Sequence, residues 1–438
     1  MHTRVPQPYD AVPRSLRASL WDVAFYSLMV GIGETYLSAF VLTMGFSERA
    51  SGLLVTLPTL IGSVLQLAAG FCAQFFRSQK SWVMVSAAIQ GTALVLLGLL
   101  SWGLNFSPLP QDQTVFFLIC GYWTFGLAAG PSWSSWIGSI VPDDRRTHFF
   151  AYRARVAQLF TVLGLLVAGL ALETQATASH KLPIFALLFF ISGVCRYVSV
   201  GFLARHPESL VRPTVDVRAL FKQSFWSWLT ENRTLTIIAF LFLTQMATNI
   251  SGPFFNAFML KQLALDYHDY MILISTAFIA RVAAGGLLQR MAHSLGSTTL
   301  THLGALLIVP LPLLWTTTDN FACLILFQVI TGLAWGCHEL GVTLLMMDKQ
   351  SHRERLSLLT LTQLLNASAM FLGSWVGYLL LGSGTPTSAD YGRLFLLSSV
   401  LRLLPVLILA KLGDSRLLDL LQPSRFFPRL GRVMFKGR

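Results

Sequence analysis

Apolar runs close to the length of a bilayer crossing recur twelve times along this chain, and all but one of the connections between them are short. A hydrocarbon core of ~30 Å needs roughly 20 helical residues at 1.5 Å each. Runs of that order fall at 20–45 (α1), 50–76 (α2), 82–103 (α3), 114–141 (α4), 152–173 (α5), 182–204 (α6), 234–260 (α7), 270–292 (α8), 298–318 (α9), 321–347 (α10), 356–382 (α11) and 392–411 (α12). Inside lipid a segment must satisfy its own backbone hydrogen bonds, so the runs predict an all-α integral membrane protein with 12 transmembrane helices. With 54% hydrophobic and 12% charged residues in 438, no water-soluble core would hold that much apolar side chain.

Charge then orients the chain. If the N-terminus is inside, only Arg49, Lys181, Lys261 and Arg393 lie outside, Arg196, Arg281 and Arg402 lie within the membrane, and every other Lys and Arg is inside. The positive-inside rule therefore predicts a multi-pass protein of the cytoplasmic (inner) membrane with both termini cytoplasmic. The net charge of +12 is spread over these short loops rather than one soluble face, which argues against nucleic acid as a partner. Residues 1–19 lack the apolar core and small-residue cleavage site of a removable leader. Cys72, Cys120, Cys195, Cys323 and Cys337 all sit in apolar runs without metal spacing and read as inert thiols.

The long connection divides the chain. We expect an N-terminal segment (1–19), a six-helix bundle (20–204), a cytoplasmic linker (205–233), a second six-helix bundle (234–411) and a basic tail (412–438). In the linker Val217, Leu220, Phe221, Phe225, Trp228 and Leu229 recur at helical spacing opposite Arg218, Lys222 and Glu231, as in a helix lying on the inner membrane surface. The tail's basic residues suit contact with anionic lipid.

The two bundles also repeat one another. GLAAGPSWSSWIGSIVPDDRR from Gly126 and GLAWGCHELGVTLLMMDKQSHRER from Gly332 share an opening, a length and a charged ending, and LFFISGVCR (Leu188 to Arg196) aligns with LFLLSSVLR (Leu394 to Arg402). Six crossings return the chain to the same side, so these are parallel repeats. In helix number, repeat and loop placement the whole chain resembles the major facilitator superfamily of secondary transporters. That family's signature between α2 and α3, G-x-x-x-D-x-x-G-[RK]-x-[RK], is degenerate here: Gly70 is kept, Gln74 replaces the Asp and Arg77 the second Gly. The run VPDDRRTHFFAYR from Val141 is similar to V-P-x-x-x-R-x-x-x-F-x-x-R, found in many bacterial members. The resemblance implies a major facilitator fold, alternating access, and a central cavity lined in part by α1.

An ionisable side chain in the hydrocarbon region costs at least ~2.5–3.5 kcal/mol, so each needs a partner, water or a role. Glu34, in GIGETYL of α1, is a proton-coupling candidate, because a carboxyl at that depth can be neutral when alone and ionised when wetted or paired. His338 and Glu339 on α10 are two more. They replace Ser132 and Trp133 of the first half, and neighbouring helical positions point about 100° apart, so they are expected to face different surroundings. Arg281, mid-α8, must meet a carboxylate, carbonyls or an anionic substrate; Glu34 and Glu339 are its possible ion-pair partners. Arg196 and Arg402 occupy equivalent places in α6 and α12 and read as scaffold.

Further cavity candidates are Gln245, Asn249 and Asn256 on α7, interrupted by Ser251-Gly252-Pro253, together with Gln363 and Asn366 on α11 and Trp133 and Trp136 on α4. The pairs Gly126/Gly130, Gly332/Gly336 and Gly373/Gly377 are expected to be tight helix contacts that slide as the two halves rock. No Walker loop, metal cluster or nucleophile motif is present, so neither an enzyme nor a cofactor is expected. The expected function is secondary active transport of a small solute, coupled to protons, by a monomer in a lipid bilayer. The alternative is a flippase for lipid or lysophospholipid on the same fold.

Overall fold

The computed structural model describes residues 11–72, 76, 78–104, 106–141, 146–173, 178–208, 232–347, 352–382 and 384–410. The linker's amphipathic stretch, the basic tail, Gln74 and Arg77 lie outside the described residues. Among these residues every regular element is helical, and each of the twelve apolar runs holds a helix or a broken helix. Among the described residues, nine helices are long and apolar enough to cross a membrane, or ten if a pair bent by 50° is counted as one. Glu48–Cys72 and His352–Leu380, 25 and 29 residues long, occupy the second and eleventh places.

Most helices start earlier than hydropathy places them, because polar first turns precede the apolar run. Thus α1 begins as Ala11–Ile32 and α5 as Arg146–Glu173. Several are interrupted. After Ile32, α1 passes through a 3-10 turn, Glu34–Tyr36, and resumes as Leu37–Thr43. Similarly, α7 (Asn232–Ser251) breaks into a 3-10 turn at Gly252–Phe254, where Pro253 has no N–H to return to the helix. The 50° bend in α8 lies between Tyr267–Ala283 and Gly285–Leu295. Two prolines divide α9 into Ser297–Ile308 and Leu311–Leu314. In α12, Pro405 leaves the Leu401 carbonyl without its donor, and the helix runs as Ser388–Leu401 and Leu403–Ala410.

The described chain forms two compact units. The first unit joins the chain up to Phe46 to the chain from Leu57 onward, as far as the linker. Its α1 and α5 cross backbone to backbone: a Cβ on Gly31 would lie 2.9 Å from the Leu165 nitrogen, and one on Gly164 2.9 Å from the Leu28 carbonyl. Close approach of this kind is how apolar helices associate in lipid, where no hydrophobic force separates helix from solvent.

The second unit comprises Ser47–Thr56 and the chain after the linker. Here α7 and α11 meet at Gly373 and Gly377, where added side chains would strike the carbonyls of Met246 and Ile250. The first turns of α2 are held by α11 and α12: Tyr391 donates to the Glu48 carboxylate (2.5 Å), and the Arg49 guanidinium stacks on Tyr378 at 4.2 Å.

These contacts correct the sliding role expected of the paired glycines. Gly332 and Gly336 pack against α8, Gly373 and Gly377 against α7, all inside the second unit; Gly126 meets Gln90 of α3 inside the first. Space around Gly130 is open. Gly332, Gly373 and Gly377 are fixed crossings within the second unit, because the neighbouring backbone is already at contact distance, whereas Gly336 and Gly126 meet side chains.

Candidate functional site

The break in α1 produces the first cluster. Gly33 lies against Ser192 of α6, and after it the helix tightens to 3-10, with Tyr36 N–H returning to the Gly33 carbonyl at 3.1 Å. Such a mid-helix turn leaves backbone groups to be satisfied from elsewhere. Thr35 donates to the Val30 carbonyl (3.0 Å), and Tyr36 Oη to the Leu165 carbonyl (2.9 Å). Glu34 is left half-buried, and its carboxylate accepts a 2.5 Å hydrogen bond from Tyr122 Oη on α4. Tyr122 is fully buried, its ring edge-on to Trp123 at 5.6 Å.

Toward the start of the same helix stands a charged network. Asp22 is buried; it pairs with Arg153 of α5 at 3.1 Å and accepts from Ser199 of α6 at 2.7 Å. Arg196 donates to Ser199 (3.0 Å) and lies over the Tyr26 ring at 4.8 Å. One carboxylate therefore serves two guanidinium groups, one directly and one through a serine. Arg153 also lies over Trp133 at 4.2 Å, and Phe150 meets that ring edge-on at 6.5 Å. Phe150 and Arg153 are the closing residues of the run beginning at Val141, so both end on the same tryptophan.

The structure revises three readings here. Arg153, assigned to an inner loop, is a largely buried ion-pair partner. Trp133 has one ring face covered by Arg153. Trp136 is not open to a cavity: it is fully buried in the unit's core, its Nε1 donates to the Pro207 carbonyl (3.0 Å), and its ring packs on His206. Asp22 and Tyr122 escaped the sequence reading because the first lies near a helix end and the second is weakly polar. Tyr122 precedes Gly126 by one helical turn, the only local signal it carries.

The second cluster is built by glycines. Gly332, Gly336 and Glu339 share one face of α10, and a Cβ on Gly332 would lie 3.1 Å from the Arg281 nitrogen. That close crossing brings Arg281 Nη1 to both Glu339 oxygens, at 2.8 and 3.1 Å. The side chains are 25% and 52% exposed, so the pair is accessible. His338 points elsewhere, as its position on the helix requires: it is buried between Phe240 and Trp335, each ring 5.6 Å away, with no partner for Nδ1 among the described residues.

The amide candidates lie on other helices, α7 and α11. Asn249 is buried and bonds the backbone carbonyl of Gln245 at 2.9 Å; Gln245, Asn256, Gln363 and Asn366 are half-buried. Arg196 and Arg402 have different surroundings despite their equivalent positions. Among the described residues Arg402 meets no carboxylate; it donates to the Ile308 carbonyl (2.8 Å) and Ser251 Oγ (3.1 Å). Asp266, His268 and Asp269 converge on an exposed turn, where Asp266 caps α8 by accepting from the Asp269 N–H at 2.8 Å.

Comparison places this arrangement among known folds. The model of the Major Facilitator Superfamily matches residues 23–374. No curated protein matches the chain in sequence. Among solved structures, the chain is similar to a bacterial homolog of the human lysosomal transporter Spinster in an inward-facing, occupied conformation (TM-score 0.69, 12% identity, 94% of this chain and 98% of that one). It is also similar to a D-xylose–proton symporter (0.68, 13%, 91% and 96%) and to the nucleoside transporter NupG (0.66, 14%, 93% and 100%). At such identities the likeness is one of fold.

Proposed function

We propose, from the premise that this chain belongs to the major facilitator superfamily, that it moves a small solute across the cytoplasmic membrane by alternating access and couples that movement to protons. In this reading both termini are cytoplasmic, Glu34 and Glu339 are the coupling carboxyls, and Arg281 is the group that Glu339 releases or holds.

The observation that supports it most directly is the setting of Glu34. Its described hydrogen-bond partner is a neutral hydroxyl rather than a cation, so the carboxyl can gain or lose a proton without breaking an ion pair. Glu339 is the complementary case, since its pairing with Arg281 must change when it takes up a proton. A membrane carrier needs such groups where access changes, and the broken α1 and the bent α8 place each carboxyl or its partner beside an interruption.

The test uses proteoliposomes containing a pH dye and a solute chosen because it raises the melting temperature of the purified protein. Wild-type protein is expected to produce a solute-dependent pH change, and Glu34→Gln and Glu339→Gln to lose it while retaining solute exchange. A full pH change in both variants would overturn the assignment.

A further inference from the structure

We infer that Tyr122 is a positioning residue for the proton on Glu34: its hydroxyl fixes the orientation of the carboxyl and sets the pH at which the proton is exchanged. This rests on the proton-coupled reading above and adds a residue to it. Among the described residues, the hydrogen bond to Glu34 comes from Tyr122. The hydroxyls next to Glu34 are committed elsewhere, Thr35 to Val30 and Tyr36 to Leu165. Tyr122 is itself held in place, fully buried and packed edge-on against Trp123. A half-buried glutamate following a helix break would otherwise have several rotamers, and a fixed donor removes that freedom.

A hydroxyl suits the role because it serves both protonation states. It donates to the carboxylate, and after protonation the carboxylic acid can donate to the phenol oxygen while the tyrosine keeps its own proton. The other ionisable groups whose fields reach this pair are Tyr26 on α1 and Arg196 on α6; Asp22 and Arg153 lie beyond Tyr26. Asp22 is already occupied by Arg153 and Ser199, which leaves Tyr122 as the direct contact.

The experiment needs no substrate. In pH-difference infrared spectra of the purified full-length protein, the carbonyl stretch of protonated Glu34 is the band lost in Glu34→Gln. In Tyr122→Phe we expect that band to change frequency and its titration midpoint to move by roughly one pH unit, the tenfold effect of one strong hydrogen bond. In the Glu34→Gln background, Tyr122→Phe should change no carboxyl band. Replacing Tyr122 by 3-fluorotyrosine keeps its shape, alters the hydroxyl's acidity and must also displace the midpoint, which tests the same point if Tyr122→Phe does not fold. A Glu34 band with unchanged frequency and midpoint in both variants overturns this inference alone. A wild-type protein with no titrating Glu34 band overturns the proton-coupled reading together with it.

Discussion

The Arg402 guanidinium donates to the Ile308 carbonyl at 2.8 Å, the one carbonyl in its turn that Pro312 leaves without a helical donor. The same side chain reaches Ser251 Oγ, where α7 breaks. A buried cation here neutralises two helix ends, whose free carbonyls carry partial negative charge. Arg402→Leu should therefore orphan both ends and lower stability by about 2–4 kcal/mol, and Arg402→Lys should recover only part of it, because an ammonium lacks the planar fork. Thermal unfolding in detergent measures this; equal melting temperatures for wild type and Arg402→Leu would contradict it.

Asp22 holds two arginines in the first unit, so removing its charge leaves both buried without a counter-ion. Asp22→Asn is expected to cost about 3–5 kcal/mol. Adding Arg153→Met should restore part of that loss, since one orphaned cation disappears. The reading is a double-mutant cycle of unfolding free energies, and strictly additive losses would count against the shared network.

His206 supplies a pH dependence outside the membrane-spanning helices. It is buried just beyond the last residue of α6, hydrogen-bonded to Ser15 at 2.7 Å, and burial pushes it down to about 4; Asp22 opposes that shift, while Lys80 and Arg153 reinforce it. Above pH 6.5 the ring is neutral folded or unfolded, and stability does not depend on it. As pH falls from 6.5 toward 4, the unfolded chain takes up the proton and the folded one does not, so stability declines by at most about 3 kcal/mol and then levels off. His206→Gln should flatten that segment of the curve of melting temperature against pH.

The glycine crossings give a paired comparison. Gly373→Ala places a methyl on the Met246 carbonyl and should lower stability by about 1–3 kcal/mol. Gly130→Ala meets open space and should be neutral or stabilising by up to about 1 kcal/mol, through helix propensity alone. Both are read by thermal unfolding, and similar losses in the two would show that tight crossing is not what Gly373 provides.

Much of this was legible in the residues. Twelve apolar runs predict the helices, and adjacency on a helix correctly separates His338 from Glu339. Two of the three glycine pairs marked close crossings, although not which helices they join: Gly332 meets α8 and Gly373 meets α7, while Gly130 has open space around it. The choice of ion-pair partner for Arg281 was open between Glu34 and Glu339, and the structure gives Glu339. Asp22 and Arg153 went unread as a pair because each looks like the solvated end of a helix until α1 and α5 are placed side by side.

The sequence alone determined the class and the run of the chain, because lipid admits only segments that satisfy their own backbone, and that condition is local and periodic. It also marked the break in α7 at Ser251-Gly252-Pro253, since a proline acts on its own turn, although Pro58 lies inside an unbroken helix. Partnership was decided only by the tertiary structure. Tyr122 for Glu34, Arg281 for Glu339 and the Ile308 carbonyl for Arg402 each come from another helix, and which side chains meet depends on rotation and crossing distance. Those are set by contacts such as Gly31 on Leu165 and Gly332 on Arg281, which no single stretch of sequence contains.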